Sequence, residues 1–274
     1  MHSFNILQKL GKGTFGTVYL CERKHNKLKV VVKEVNSDLN GEQIESAKNE
    51  VAILKCLKHP NVVLYYDSFV SDNIFYIVME YATKGSLYDF IKNNKPNLLQ
   101  QQIVLNYFCQ ILNGLHHIHS KNIIHRDLKS ENIFLTGLQS DVVKIGDFGI
   151  SKILQNDTKT QTFIGTANYL APEMCHGKPY NTKSDIWSLG CILYELCALE
   201  RMFDGPVANV VYSISTGRKK LINSSLYDMG VQYLVEVMLQ LEPANRPDTL
   251  SLMKFPVLLP TLYTLGVTLG CIKL

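Results

Sequence analysis

No Cys-x-x-Cys pair occurs in this chain, and its seven cysteines have no histidines at ligand spacing. The odd number and irregular spacing argue against a disulfide framework and a zinc site, and point to a reducing compartment. Charge is also scarce: charged residues make up 19% of 274 positions, below the usual quarter, and the formal net charge is only +4. The basic run Arg218-Lys219-Lys220 reads as the solvated edge of a helix, so no nucleic-acid partner is expected. The start, Met1-His2-Ser3-Phe4-Asn5, has neither a basic region followed by an apolar run nor an Arg/Ser-rich amphipathic stretch. Neither export nor transit is expected, and the cytoplasm is the expected address. Internal repeats and low-complexity linkers are lacking as well.

One stretch has no charge at all. Residues 255–272 are uncharged over eighteen positions, long enough to raise the question of a membrane span. Pro256, Pro260, Gly266, Gly270 and three threonines interrupt it, and neither end carries an aromatic belt with a basic cluster, so a membrane partner is not expected. The expectation is a packed C-terminal extension over 259–274, or the first strand of a further domain.

What is present begins with short β-rich segments over 4–35, punctuated by glycines and by a charged turn at His25-Asn26, which read as a strand meander. Over 41–57 the apolar residues Ile44, Ala47, Val51 and Leu54 recur at three- and four-residue spacing, which predicts a helix. Strands are predicted again over 62–69 and 74–80. After Thr83-Lys84-Gly85 the pattern turns helical: Ser86 is placed to cap a helix over 87–93, and 103–119 is long and amphipathic. A small hairpin is expected from 133–135 and 142–145, and further helices over 183–199 and 229–239.

Gly11-Lys12-Gly13-Thr14-Phe15-Gly16-Thr17-Val18 contains GxGxxG, a string shared by dinucleotide-binding folds and by loops that cover nucleotide phosphates. Here the glycines sit between two strand-like runs instead of opening a helix, which favours the second reading. A GxxxxGK[ST] string is absent, which excludes a Walker loop. Lys33 closes the third strand-like run and Glu50 lies in the helical pattern that follows. A lysine can neutralise α- and β-phosphates only if it is held in place, and a carboxylate on the adjoining element can hold it.

The densest signal is His125-Arg126-Asp127-Leu128-Lys129-Ser130-Glu131-Asn132, followed by Asp147-Phe148-Gly149. In a phosphoryl-transfer centre, Asp127 orients or accepts the proton of an acceptor hydroxyl and Lys129 stabilises the moving phosphoryl group. Asn132 and Asp147 supply the hard oxygen ligands that suit Mg²⁺. Between Asp147-Phe148-Gly149 and Ala171-Pro172-Glu173 lie Ser151, Thr158, Thr160, Thr162 and Thr166, with few residues able to build a core. That segment reads as a switchable loop, with Arg126 placed to pair with a phosphate on it. Glu173 and Arg246 are expected to form a structural ion pair.

On these residues the chain resembles a eukaryotic protein kinase over 4–258, and Lys129 after His-Arg-Asp resembles the serine/threonine class. Val32-Lys33-Glu34-Val35, Lys48-Asn49-Glu50-Val51, Ile77-Val78-Met79-Glu80-Tyr81-Ala82 and Lys144-Ile145-Gly146-Asp147-Phe148-Gly149-Ile150-Ser151-Lys152 are similar to the NIMA-related kinases. The resemblance implies an α+β two-lobed fold, with a small β-rich N-lobe over 4–82 and a larger, mainly helical C-lobe over 83–258. It implies ATP and Mg²⁺ as cofactors, protein substrates with Ser or Thr acceptors, and activation by an upstream kinase or by self-phosphorylation in trans. It further implies that Met79 stands beside the nucleotide pocket, that backbone groups of Glu80 and Ala82 bind adenine, and that Leu10, Val18 and Val31 cover its faces. His125 and Phe148 are implied to stand in an apolar stack linking the lobes. The family also brings centrosome or cilium association into view, and residues 260–266 resemble the exit toward a β-propeller in some members.

Three features depart from the family pattern. Val31 stands where Ala is common, which tightens the purine pocket; Ala167-Asn168 replace the usual Pro-Tyr; and the stretch after Phe203-Asp204-Gly205-Pro206 is about a residue shorter. The alternative to an active enzyme is a pseudokinase-type scaffold. The presence of Lys33, Glu50, Asp127, Asn132 and Asp147 together argues against it, and a small-molecule kinase has no reason to carry the long loop ending in Ala171-Pro172-Glu173.

Overall fold

The computed structural model describes residues 1–13, 16–35, 51, 54–72, 74–139, 141–146 and 167–268. Expectations on Thr14, Phe15, Glu50, Asp147, Phe148, Gly149, the threonines of the switchable loop and the last six residues lie outside them. The chain divides into two compact units, one from Met1 to Thr83 and one beginning at Lys84.

The first unit is a five-stranded antiparallel sheet of β1 (Phe4–Gly13), β2 (Gly16–Arg23), β3 (Lys29–Val35), β4 (Tyr65–Ser71) and β5 (Ile74–Glu80), in the order β1-β2-β3-β5-β4. β3 is rich in valine, whose branched side chains suit a pleated, buried surface, and it lies in the middle of the sheet. Alternation along each strand sorts the side chains. Cys21, Val30, Val32, Tyr76 and Val78 form an apolar cluster on one face, packed by Phe4, Tyr19 and Phe69. Val18 pairs with Lys33, and Val31 pairs with Met79, so these four share the opposite face. The strand expected over 62–69 begins only at Tyr65. Val62 and Val63 are buried ahead of β4, where the Leu64 amide turns to the Glu80 carboxylate (3.1 Å) while Leu64 O receives the Glu80 amide (2.8 Å). Of the helix expected over 41–57 only its end is described: Val51 and Leu54 are helical and buried, and the Lys55 amide donates to Val51 O at 3.0 Å.

The second unit is built on helices. In α1 (Leu87–Asn94) Ser86 is the N-cap as expected, with a reciprocal capping box to Asp89. α2 (Gln101–Ser120) and α4 (Thr182–Ala198) pack together in the core. α4 is buried on nearly every side, from Ser184 through Cys197. It starts at an Asn181 capping box and ends at Leu199 in the left-handed conformation (φ 55°). The hairpin of β6 (Ile133–Thr136) and β7 (Val142–Ile145) forms as expected. Gln110 of α2 pins it, donating to Asp141 O at 2.8 Å and accepting from the Val143 amide at 2.9 Å. The short α3 (Pro172–Cys175), α5 (Val207–Ser215), α6 (Met229–Met238), α7 (Thr249–Met253) and α8 (Leu259–Thr268) complete the unit.

Over 259–268 the chain is the helix α8 and not a strand; it packs on α2 and buries Thr261 and Leu265. Pro260 sits in its first turn, where a missing N–H costs nothing. The stretch Pro243–Thr268 is long and apolar enough to cross a membrane by composition. It does not form one helix, because it is broken into two 3-10 turns and two helices, and the turns begin at Pro243 and Pro256.

Candidate active site

Each unit gathers its own part of the predicted site. In the first, β1 and β2 run toward the glycine-rich turn with Gly11 opposite Val18, Lys12 opposite Thr17 and Gly13 opposite Gly16. Gly16 has φ 142°, where a side chain is strained. A Cβ built on Gly11 meets no atom within 4 Å. Among the described residues no packing demands glycine there, which fits a strand end kept open for a phosphate chain. Lys12 is exposed and Thr17 buried.

Lys33 is 8% exposed although it carries an ammonium, and it shares its face of the sheet with Val18, Val31 and the buried Met79. Apolar side chains beside a buried lysine suit a purine whose phosphates end near that lysine. Leu10, expected to cover the same pocket, is 43% exposed. Ala82 is half-buried. The expectation for Glu80 narrows, because its amide is committed to Leu64 O at 2.8 Å.

In the second unit the loop after α2 brings Asp127, Lys129 and Asn132 together. Lys129 Nζ lies 2.9 Å from Asp127 Oδ2. Asn132 Nδ2 donates to the same Oδ2 at 2.7 Å and to Asp127 O at 2.8 Å. Because its amide nitrogen is spent on Asp127, Asn132 presents its oxygen elsewhere, the donor a hard divalent cation accepts. Asn132 O also receives the Gly146 amide at 3.0 Å, and His125 Nε2 is 3.1 Å from Gly146 O. These bonds tie the loop to the residue immediately before Asp147. Asp147 and Glu50 themselves are outside the described residues.

The loop is held from below by a residue that the motifs do not reveal. Asp185 of α4, fully buried, accepts from the amides of His125 (3.0 Å) and Arg126 (3.2 Å), from the Tyr180 hydroxyl (2.9 Å), and pairs with His119 Nε2 (2.8 Å). Burial alone raises its pKa, but the hydrogen bond and charge of His119 reverse this and hold the carboxyl below its ordinary value. Arg126 has φ 69°, a strained conformation for a residue with a side chain, and the bond from its amide to Asp185 stabilises it there. Its side chain is exposed. The signal for Asp185 is a single carboxylate inside Ser184-Asp185-Ile186-Trp187, in a helix otherwise suited to a core.

A second buried carboxylate, Glu195, supports the same loop. It accepts from Ser130 Oγ at 3.1 Å and from the Tyr169 hydroxyl, and Ser130 Oγ is 2.9 Å from the Tyr169 oxygen. Burial pushes the Glu195 pKa up to about 7 against the hydrogen bond from Tyr169. The expected Glu173–Arg246 pair is bidentate, at 2.8 and 2.7 Å, with both side chains buried.

The protein kinase domain family matches residues 4–258 of the chain. The chain is 41% identical over 276 residues to serine/threonine-protein kinase Nek8 of Danio rerio, covering 100% of this chain and 39% of that protein. It is 40% identical over 284 residues to serine/threonine-protein kinase nekl-2 of Caenorhabditis elegans, covering 100% and 79%. With serine/threonine-protein kinase Nek1 of Mus musculus the identity is 40% over 257 residues, covering 93% and 21%. The chain thus spans well under half the length of two of these three relatives.

Proposed function

From a chain that belongs to the protein kinase family, among its NIMA-related serine/threonine kinases, we infer that residues 4–258 transfer the γ-phosphoryl group of MgATP to Ser or Thr hydroxyls of protein substrates. The observation that carries this reading is the arrangement around Asp127. Its carboxylate is held by Lys129 and by Asn132 through one oxygen, so its orientation is set before an acceptor arrives. Asp127 orients the acceptor hydroxyl and takes its proton as the oxygen attacks, while the Lys129 ammonium balances the negative charge of the group in transfer. Lys33, which the sequence pattern pairs with Glu50, neutralises the α- and β-phosphates. Mg²⁺, when bound, screens phosphate charge, and Asn132 with Asp147 would hold it.

Control follows from the same loop. A phosphate on one of Ser151, Thr158, Thr160, Thr162 or Thr166, added by an upstream kinase or in trans by a second copy, pairs with the exposed Arg126 and orders the segment.

The test is transfer of radiolabelled γ-phosphate to a generic protein substrate by the wild-type chain and by Asp127→Asn. Loss of the positioned base lowers turnover on the order of 10²–10⁴-fold, with the urea unfolding midpoint retained. Undiminished turnover by Asp127→Asn overturns the role given to Asp127.

A further inference from the structure

The second unit shows water an apolar surface that has no part in the chemistry above. On α6, Met229 and Tyr233 stand four positions apart, neighbours on one helix face, and on α8 Leu259 and Tyr263 repeat that spacing. All four are between 50% and 78% exposed. Phe255 links the two pairs: its ring centroid is 5.9 Å from that of Tyr233, and it precedes Leu259 by four residues across the 3-10 turn Pro256–Leu258, which runs directly into α8. Beside them lies a groove of about 670 Å³ lined by Gly230, Tyr233, Phe255 and Val257. Here α6 approaches the turn closely, since a Cβ on Gly230 would lie 3.2 Å from Val257 Cβ.

A surface helix normally turns polar residues outward. α8 departs from this, burying Thr261 beside Leu265 while it exposes Leu259 and Tyr263. The hydroxyls of Thr264 and Thr268 donate back to Pro260 O (3.0 Å) and Thr264 O (2.9 Å), so neither demands water. No charge occurs over 255–268. With a large apolar side chain covering on the order of 200 Å², the four exposed residues present roughly 450 Å². That is about the apolar share of the roughly 800 Å² that a standard interface takes from each partner, and Met and Tyr are residue types that interfaces collect.

The charges at the groove select the partner. Asp228 and Lys254 line it, one of each sign, on different elements. Asp228 gives Oδ2 to Gln101 at 2.6 Å; Lys254 attracts Asp248, whose Oδ1 is spent on the Ser251 amide at 2.7 Å. Glu236, further along α6, is answered by Gln232 at 2.8 Å. An acidic partner would suit Lys254 and be repelled by Asp228, and a basic one the reverse. A second copy brings both signs with it, because in a two-fold interface residue i meets j while j meets i. A lipid surface favours several basic residues around the apolar ones, and Lys254 is the one cation among the described residues that line the groove.

We propose that this face, from Met229 and Tyr233 of α6 to Leu259 and Tyr263 of α8, is a two-fold interface with a second copy of the chain, in which Lys254 of each copy answers Asp228 of the other. It goes beyond the kinase reading and does not depend on it, since pairing is measured without turnover.

The experiment is sedimentation equilibrium of the full 274-residue chain at concentrations on the order of 1–100 μM, where a reversible monomer–dimer equilibrium is expected. Tyr233→Glu and Tyr263→Glu should each weaken pairing about tenfold, whereas Tyr212→Glu, at an equally exposed tyrosine on α5, should leave it unchanged. Lys254→Glu and Asp228→Lys, each alone, should also weaken pairing about tenfold, because like charges then meet twice across the two-fold axis. Mixed in equal amounts, these two chains should pair with wild-type strength, since each again meets the opposite sign. Recovery on mixing cannot come from a loosened helix. A chain that stays monomeric throughout the range, tyrosine variants that pair like wild type, a Tyr212→Glu chain weakened as much as they are, or a mixture no stronger than its components overturns the interface. A monomeric chain that binds neutral phosphatidylcholine vesicles through Tyr233 and Tyr263 overturns it in favour of a lipid surface. If Asp228→Lys lacks a cooperative urea transition, the three tyrosine variants decide.

Discussion

Two buried carboxylates in α4, ten residues apart, support the catalytic loop and have opposite pH signatures. Asp185 is held ionised by His119 and the loop amides, so its folded-state pKa lies below the unfolded one. Its contribution is present above the unfolded value near 4 and is lost as pH falls through the folded value. Asp185→Ala leaves the amides of His125 and Arg126 and the Tyr180 hydroxyl without an acceptor in the interior. The expected cost is about 3–5 kcal/mol, measured by urea unfolding at neutral pH and shrinking toward acid pH. An equal cost at all pH values would contradict the ionised assignment. Glu195 has the reverse sign. Its folded pKa is raised to about 7, so between the unfolded value near 4.3 and about 7 the folded state holds the extra proton, and stability falls as pH rises through that window. Glu195→Gln removes this fall. Compared by urea unfolding at pH 5 and pH 8, the variant should gain on the wild type as pH rises, and a constant difference would refute it. Motifs made Asp127, Lys129 and Asn132 legible because their spacing is tied to one reaction. Asp185 and Glu195 were hidden, since a lone carboxylate in a helical run looks the same whether it faces water or anchors a loop.

At the scale of elements, α4 meets α6 at a glycine. A Cβ on Gly190 would lie 2.9 Å from Met238 Cβ and 3.0 Å from a Leu239 methyl carbon. In an exposed helix, Gly→Ala gains roughly 0.5–1 kcal/mol. Here the added methyl must push two helices apart in a close-packed core, and overpacking of that kind costs about 1–3 kcal/mol. Gly190→Ala should therefore destabilise, with a lowered urea midpoint and an unchanged m-value, and a raised midpoint would show that the helices part freely. Elements with a cap or a clean period could be read from sequence: Ser86 marked α1, and the 103–119 pattern found α2. Boundaries set by tertiary bonds could not. β4 starts at Tyr65 because Leu64 is held by Glu80, an agreement between residues sixteen positions apart. α5 was not foreseen, since Val207-Ala208-Asn209-Val210-Val211 is as apolar and β-branched as a strand. α8 was open between extension and strand because the packing of Thr261 and Leu265 on α2 is what makes it a helix.

For the whole molecule, the two-unit plan is legible in the change of period after residue 83, with Lys33 and the described part of the glycine loop in one unit and Asp127, Lys129 and Asn132 in the other. A ligand that binds the folded chain stabilises it by mass action, so the nucleotide binding proposed above can be tested apart from transfer. At one hundred times its dissociation constant, MgATP should add about 2.7 kcal/mol, raising the melting temperature on the order of 5–10 °C for a chain of this size. On the roles proposed above, Asp127→Asn should keep that shift while losing transfer, because Asp127 is assigned to the acceptor and not to the nucleotide. Lys33→Met should lose most of it, because an apolar side chain of similar length leaves the phosphates without their buried cation. Chelating Mg²⁺ with EDTA should shrink the wild-type shift, since the roles proposed for Asn132 and Asp147 run through the ion. A shift untouched by EDTA would remove the metal roles from Asn132 and Asp147, and one untouched in Lys33→Met would remove Lys33 from the nucleotide site.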